Sequence, residues 1–159
     1  MIKAALTLGL LMAAAGGLLA ALNHATRDTV AANETRHQSR ILEELTGEAI
    51  PARPREDVIA CARDVVALAG GTRGYGGQIE LLVAFTAAGT MRGVRATQHS
   101  ETPGFADILD PDDWVNQFSI TPAAQVDAVS GATITANAVK RVVAAQQARF
   151  NSMQPWCPS

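Results

Sequence analysis

Aromatic residues are scarce in this chain, at 4% of its 159 residues, although 48% of the residues are hydrophobic. Much of the apolar content is alanine, so the sequence predicts one domain with appendages and a modest core. The chain also lacks a basic stripe, and its formal net charge is −2 with an isoelectric point near 5.9. These features argue against nucleic-acid binding, because nucleic-acid-binding surfaces are basic.

Cysteine and histidine are also sparse. The two cysteines, Cys61 and Cys157, form no C-x-x-C motif, and no His/Cys cluster has the spacing of zinc ligands. A structural metal site and a thioredoxin-type redox centre are therefore not expected. The chain lacks a G-x-S-x-G motif, and its three histidines suggest no catalytic triad, which argues against a serine hydrolase.

The first segment of the chain is a long apolar run. Residues 4–23, AALTLGLLMAAAGGLLAALN, carry no charge and follow Lys3. A helix of this length spans about 30 Å, the thickness of the hydrocarbon core of a bilayer. We interpret residues 1–23 as an uncleaved transmembrane signal anchor, with a cleaved signal peptide as the alternative. No cysteine directly follows the run, which excludes a lipoprotein anchor.

The positive-inside rule predicts the orientation of this anchor. Lys3 and the α-amino group place the start of the chain in the cytoplasm, so residues 24–159 are expected on the outer side of the membrane. Disulfides can form in that compartment. Cys61 and Cys157 are therefore either a disulfide pair or two unrelated thiols.

Residues 24–54 are predicted to form a helical stalk and a linker. Residues 24–46 lack glycine and proline, and the prolines at positions 51 and 54 mark the linker. The stalk helix carries a sparse apolar stripe that consists of Val30, Ile41, Leu42 and Leu45.

The middle of the chain is predicted to form a β-sheet. In residues 78–86, QIELLVAFT, alternate positions are apolar, as expected for a strand with one face on a core. A glycine-containing turn at residues 87–90 follows, and residues 91–99 return as the partner strand. A short apolar run at residues 65–68 and a glycine-rich loop at residues 70–77 precede them.

Two helices are predicted after the sheet. A short one is expected over residues 110–118, with Asp110 as its N-cap and a proline at the first helical position. The second, over about residues 135–150, repeats apolar residues at helical spacing and should lie on the sheet. The predicted fold class is therefore α+β, in which the transmembrane helix and stalk precede a small domain over residues 55–150. This domain has a twisted antiparallel sheet packed by helices, and a tail over residues 151–159 follows it.

The stretch DAVSGATIT, residues 127–135, is small and polar and leads into the last predicted helix. Gly131 favours a tight turn, and the backbone N–H groups at a helix start attract anions such as phosphate. The hydroxyls of Ser130, Thr133 and Thr135 can bind such an anion, or one of them can be esterified by a phosphoryl group. The alternative is that Ser130 or Thr133 is only a helix N-cap.

Three sequence blocks resemble the FMN-binding domain family. DAVSGATIT resembles the D-x-x-[ST]-G-A-T signature, in which the final threonine carries FMN as a covalent phosphoester. GYGGQIELLVAF resembles the Gly-Tyr-x-Gly strand entry of the family, and QHSETPGFAD resembles its His-x-Glu-Thr-Pro-Gly turn. With the stalk sequence ALNHATRDTV, the chain is similar to the branch formed by the G subunits of Rnf-type ion-translocating electron-transport complexes. That branch is related to the C subunits of the sodium-pumping NADH:quinone reductases. The resemblance covers roughly residues 10–45 and 64–148.

The resemblance implies a set of cofactor-binding residues. Thr133 corresponds to the flavinylated threonine, and its small neighbours complete the site read by a transferase that moves FMN from FAD. Glu101 and Thr102 correspond to the turn that flanks the flavin; for Glu101 the alternative is a solvated turn carboxylate. The full set is Thr133, Ser130, Gly131, Ala132, Asp127, Glu101 and Thr102, with no catalytic residue and no metal.

Other residues near these motifs have expected roles. His99 is expected to shape the turn rather than to transfer protons. Tyr75 either stacks on or near the flavin ring or packs on its own loop. Trp114 and Phe118 match an aromatic pair that packs the domain.

The chain departs from the family pattern at several points. Phe105 and Ala106 stand where the family usually has leucine and glycine. A segment usually found between the aromatic pair and the SGAT block is missing, and an early strand is shortened. These departures are expected to change how the flavin is shielded from solvent and which surface docks partners. They do not alter the attachment signature.

The resemblance implies a membrane-anchored electron carrier with FMN bound covalently to Thr133. It would be one subunit of an Rnf-like complex in the bacterial inner membrane that couples ferredoxin and NAD redox chemistry to ion translocation. Expected partners are the other membrane subunits and a flavin transferase that uses FAD; the chain alone would not complete a turnover. The alternatives are a stand-alone extracytoplasmic flavinylated protein serving another reductase or quinone system, and a non-redox structural subunit.

Overall fold

The computed structural model describes residues 2–49, 59–62 and 64–153. The predicted linker prolines, most of the predicted tail and Cys157 lie outside the described residues. The chain divides into two compact units, Met1–Arg36 and His37–Ser159.

Helix α1 covers Ile2–Thr46. Its N-terminal apolar segment is exposed and is long enough to cross a membrane. The polar helix predicted over residues 24–46 belongs to the same helix. The helix ends where Gly47 adopts a φ of 78° and its N–H donates to the carbonyl of Glu43 at 2.7 Å. Glycine suits this position because it lacks the Cβ that penalises a left-handed conformation.

Within the described residues, four antiparallel strands form one sheet in the order β1-β2-β3-β4. Strands β3 and β4 and the turn between them have the predicted bounds. Strand β1 was not predicted, and β2 extends through half of the predicted glycine-rich loop. The strands are β1 (Ile59–Ala62), β2 (Val65–Arg73), β3 (Gln78–Thr86) and β4 (Met91–His99).

The extension of β2 has a packing reason. At Gly70, an added Cβ would lie 2.7 Å from Cγ1 of Val142 and 2.6 Å from Nε2 of Gln146. A helix therefore crosses the strand at this glycine, which is the close approach that glycine permits inside a strand. The prediction of a loop over residues 70–73 is wrong for that reason.

Helices follow the sheet in the part of the chain described after His99. Helix α2 covers Thr133–Ser152, and two short 3-10 helices cover Asp107–Leu109 and Trp114–Ser119. The prediction of one helix from residue 110 is wrong, because Asp113 caps the second 3-10 helix through a 2.6 Å bond from the N–H of Trp114. Asp110 instead ends the first 3-10 helix.

Both faces of the sheet are covered. On one face, the alternating apolar residues of β3 pack with α2 and the 3-10 helices in the larger core, where the rings of Phe85 and Phe150 stack with centroids 4.8 Å apart. On the other face, Leu82 and Ala84 pack with the end of α1, and Val30 of the predicted stripe is exposed. The α1 residues buried there are Ile41, Leu42 and Leu45. The predicted α+β class is confirmed.

Cys61 is half-buried in β1 and is disulfide-bonded. Cys157, the other cysteine of the chain, lies outside the described residues. The disulfide at Cys61 favours the first of the two interpretations, a Cys61–Cys157 pair, over two unrelated thiols.

The stacked pair in the larger core gives a stability prediction. We expect Phe85→Ala to lower the free energy of unfolding by about 3–5 kcal/mol, because the substitution leaves a cavity beside Phe150. Ile120→Ala is the control: this side chain is 85% exposed, so its truncation should change stability by less than about 0.5 kcal/mol. Denaturant unfolding of the full chain in detergent measures both variants, and equal stabilities would contradict the prediction.

Candidate functional site

The loop before α2 makes a tight turn at Gly131. This residue has a φ of 88°, and an added Cβ would meet nothing within 4 Å. The constraint on residue 131 is therefore backbone conformation rather than space, since side chains other than glycine are strained at this φ. The turn predicted from Ser130 and Gly131 is present.

Thr133 is the first residue of α2 and is exposed. Its hydroxyl donates to the carbonyl of Val129 at 3.2 Å. The N-cap residue is Ala132, with no side-chain hydrogen bond, so the interpretation of Ser130 or Thr133 as the helix cap is wrong. The N–H groups of the first turn are thus left for water or an anion.

The backbone just before this turn is held from two sides. The indole N–H of Trp114 donates to the carbonyl of Asp127 at 2.7 Å, and the ammonium of Lys140 donates to the carbonyl of Val126. Val126 is buried, whereas the side chains of Asp127 and Ser130 are exposed. The loop therefore has a fixed backbone and presents polar side chains towards the surface.

Glu101 is buried at the centre of the site, so the alternative of a solvated turn carboxylate is wrong. Both of its oxygens accept from the N–H of Gly76, at 3.2 and 3.1 Å. Oε2 also accepts from the hydroxyl of Thr135 at 3.0 Å, and this hydroxyl in turn accepts from the N–H of Tyr75 at 3.4 Å. The carboxylate thereby joins residues 74–77, here called the GYGG loop, to the first turn of α2.

The glycines of the GYGG loop pack tightly against the turn that contains Glu101. An added Cβ at Gly74 would lie 2.0 Å from Oε1 of Glu101, and one at Gly76 would lie 2.7 Å from the carbonyl oxygen of Ser100. Larger residues would separate the two segments. The resemblance located both motifs, but their contact with each other was not predicted.

Residues 101–104, here called the ETPG turn, present Thr102 at the surface. Thr102 is exposed, and its carbonyl accepts from the N–H groups of Phe105 and Ala106 at 3.0 Å each. Gly104 has a φ of 91°, which explains a glycine here. His99 is the exposed last residue of β4, immediately before this turn.

The aromatic residues near the motifs divide into two groups. Trp114 and Phe118 are buried in the larger core with their rings edge to face, which confirms their predicted packing role. Tyr75 is 61% exposed, and its ring centroid lies 5.2 Å from that of Phe105 at an angle of 51°. Sequence reasoning missed this pair; the only signal was an aromatic residue at position 105 in place of the expected leucine.

Comparison with known families gives two matches. Residues 74–146, which include all three motifs, match the FMN-binding domain, and residues 1–45 match the RnfG N-terminal region. The fold and site thus define a membrane-anchored protein with an FMN-binding domain.

Curated relatives extend this match over most of the chain. The G subunit of the ion-translocating oxidoreductase complex of Yersinia pestis is 30% identical over 180 aligned positions, which cover 87% of this chain and 84% of the relative. The corresponding protein of Shewanella piezotolerans is 29% identical over 194 positions, which cover 95% and 90%. That of Cereibacter sphaeroides is 40% identical over 82 positions, which cover 42% and 37%. The chain belongs to this family, the G subunits of ion-translocating oxidoreductase complexes.

The longer alignments also bear on the expected departures. They run over 180 and 194 positions, whereas the chain has 159 residues. These relatives therefore carry residues that this chain lacks, and the location of the missing segment stays a prediction.

The two threonines at the start of α2 should respond differently to truncation. Thr135→Ala removes a donor from buried Glu101, so we expect a loss of about 1–3 kcal/mol in the free energy of unfolding. Thr133→Ala removes an exposed hydroxyl and should change stability by less than about 0.5 kcal/mol. Denaturant unfolding of the full chain checks both. A larger loss for Thr133→Ala than for Thr135→Ala would show that the buried network does not stabilise the site.

Proposed function

We propose that this protein is a membrane-anchored electron carrier that holds FMN covalently, through a phosphoester to Thr133, within an Rnf-like complex. The observation that carries the proposal is the position of Thr133. Its hydroxyl is exposed at the start of α2, contributes nothing as a cap, and follows a loop whose backbone is held by Trp114 and Lys140.

The residues around Thr133 suit a phosphate ester. The uncapped N–H groups of the first turn and the positive end of the helix dipole compensate the phosphate charge. At Gly131 an added Cβ would meet nothing within 4 Å, so this residue leaves open space two positions before Thr133. Asp127 and Ser130 lie close to these residues in the chain and are exposed, so a transferase can contact them. Thr102 is exposed on the ETPG turn, where it can hydrogen-bond the flavin ring.

Attachment requires FAD and a flavin transferase as partners. The hydroxyl oxygen of Thr133 would attack the phosphorus of the FMN half of FAD, and a Thr–O–P bond would form as the P–O–P bond breaks. AMP leaves, and the hydroxyl proton passes to a base of the transferase. The redox chemistry then belongs to FMN, while the chain supplies attachment, position and surroundings.

The family and the apolar helix support a place beside other membrane subunits. The relatives are subunits of an ion-translocating oxidoreductase complex. In such a complex the carrier passes electrons between neighbouring redox subunits, which links ferredoxin and NAD chemistry to ion movement. The domain would lie on the periplasmic side of the bacterial inner membrane. The disulfide at Cys61 is consistent with this location, because disulfides form and persist in the oxidising periplasm.

A second candidate is a stand-alone extracytoplasmic flavoprotein that serves another reductase or quinone system. The shorter chain favours it, because a trimmed domain offers less surface for fixed partners. Co-purification of the tagged full chain distinguishes the two: other Rnf-type subunits are recovered with a member of the complex and not with a stand-alone carrier. The third alternative, a non-redox structural subunit, would carry no flavin whether or not other Rnf-type subunits were recovered with it.

Substitution of Thr133 tests the attachment. The full chain made together with a flavin transferase should give a denatured gel band that fluoresces under ultraviolet light, and Thr133→Ala should abolish this fluorescence. Thr135→Ala should keep it, because the hydroxyl of Thr135 is buried against Glu101. A dark band for the unsubstituted chain with active transferase, or a fluorescent Thr133→Ala band, would overturn the proposal.

The orientation has its own test. Alkaline phosphatase fused after Ser159 should be active in cells, because its disulfides form only outside the cytoplasm. A green fluorescent protein fused at the same position should stay dark after export through the general secretory route. Bright green fluorescence with an inactive phosphatase would place the domain in the cytoplasm.

A further inference from the structure

An open groove runs along α2 close to the first turn of this helix. Its volume is about 390 Å³, and the described residues that line it include no acidic residue. Helix α2 forms one wall, and the connector that follows the second 3-10 helix forms the other. The groove, here called the α2 groove, is lined by Ala123, Ala124, Asn137, Lys140, Arg141 and Ala144.

The α2 groove continues the helix face on which Thr133 lies. Asn137, Lys140 and Ala144 come four, seven and eleven positions after Thr133, and these spacings return to one face of an α-helix. At a rise of about 1.5 Å per residue, Lys140 lies about 10 Å along the helix axis from Thr133. A standard protein–protein interface buries about 800 Å² on each partner, a patch with a radius of about 16 Å. An enzyme that docks on this side and acts on the hydroxyl of Thr133 therefore covers the groove.

The two cations of the groove suit the substrate that a flavin transferase carries. Within the described part of the chain, neither Lys140 nor Arg141 forms a salt bridge with a carboxylate. The ammonium of Lys140 donates to the carbonyl of Val126, which is a neutral group, and Arg141 is exposed. Because the pyrophosphate of FAD is anionic, positive charge that no carboxylate neutralises attracts the FAD-loaded enzyme to this side of Thr133.

The other side of the attachment turn has the opposite charge. The indole of Trp114 is hydrogen-bonded to the carbonyl of Asp127, so the segment before Trp114 also lies close to this turn. That segment, here called the acidic flank, carries the exposed side chains of Asp107, Asp110 and Asp112. Carboxylates repel an incoming pyrophosphate, so charge favours docking on the α2 groove over docking on the acidic flank.

We propose that the α2 groove is the surface on which the flavin transferase docks when it loads Thr133. This inference rests on the proposed function, since it assumes that a transferase attaches FMN to Thr133. The exposed side chains of Ala124 and Ala144 are small, so the groove can admit an apolar side chain of the enzyme. Lys140 and Arg141 supply the positive charge that attracts its anionic substrate.

The kinetics of flavin transfer test this surface. The purified full chain in detergent is titrated into transferase and FAD, and initial rates are read from the fluorescence of denatured gel bands. Arg141→Glu should raise the KM of the transferase for the chain about tenfold and leave kcat within about twofold, because an exposed charge at an interface mainly affects association. Added salt should reduce this difference in KM, since salt screens exposed charges.

Matched variants separate docking from a general effect of charge or size. Asp112→Arg changes the charge by the same amount on the acidic flank and should not raise KM. Ala144→Trp fills the groove and should raise KM, whereas Ala145→Trp, at an exposed position outside the groove, should not. The melting temperature of each unloaded variant is measured as well, and equal values show that a change in KM does not come from unfolding.

The outcomes that contradict the docking surface differ from those that contradict the attachment. If the unsubstituted chain is labelled and both Arg141→Glu and Ala144→Trp keep its KM, the docking surface is wrong and the attachment stands. A raised KM for Asp112→Arg alone would place the transferase on the acidic flank. An unchanged KM for Arg141→Glu with reduced recovery of other Rnf-type subunits would assign the groove to assembly instead. If active transferase leaves the unsubstituted chain without flavin, the proposed function itself fails.

Discussion

The buried carboxylate of Glu101 is the contact on which the site depends. A carboxylate in a protein interior is tolerated only when its oxygens accept hydrogen bonds. Here the donors are the N–H of Gly76 and the hydroxyl of Thr135, which come from two different sequence motifs. The carboxylate therefore holds the GYGG loop, the ETPG turn and the start of α2 in one place. The position of Thr133 at the surface follows from that arrangement.

Local patterns predicted the parts of the fold that local rules determine. Strands β3 and β4 follow from the alternation of apolar residues and from a glycine in the turn between them. The extension of β2 through Gly70 could not be predicted, because it depends on a helix that lies far away in the sequence and crosses there. The start of the second 3-10 helix was mispredicted for a related reason. Asp110 and Asp113 are both acceptable caps by residue type, and only the packed chain selects Asp113.

The candidate site shows the same division. The DAVSGATIT motif identified Thr133 as the candidate attachment residue. Helix-capping rules alone could not decide between a threonine that carries a cofactor and one that only caps the helix. The burial of Glu101 and the pairing of Tyr75 with Phe105 join segments that are distant in sequence, so no local pattern predicts them. Thr133 and Thr135 differ by only two positions, yet one hydroxyl is exposed and the other is enclosed. The first is available for chemistry, and the second stabilises the turn that presents it.

The mass of the peptide that contains Thr133 is the most direct measurement of covalent attachment. The full chain is made with the flavin transferase, digested, and its peptides are fragmented to locate any added group. We predict an added mass of FMN less one water, located on Thr133 and absent from Ser130 and Thr135. An unmodified peptide from a preparation with active transferase, or the same added mass on another residue, would contradict the assignment of Thr133 as the flavin attachment site.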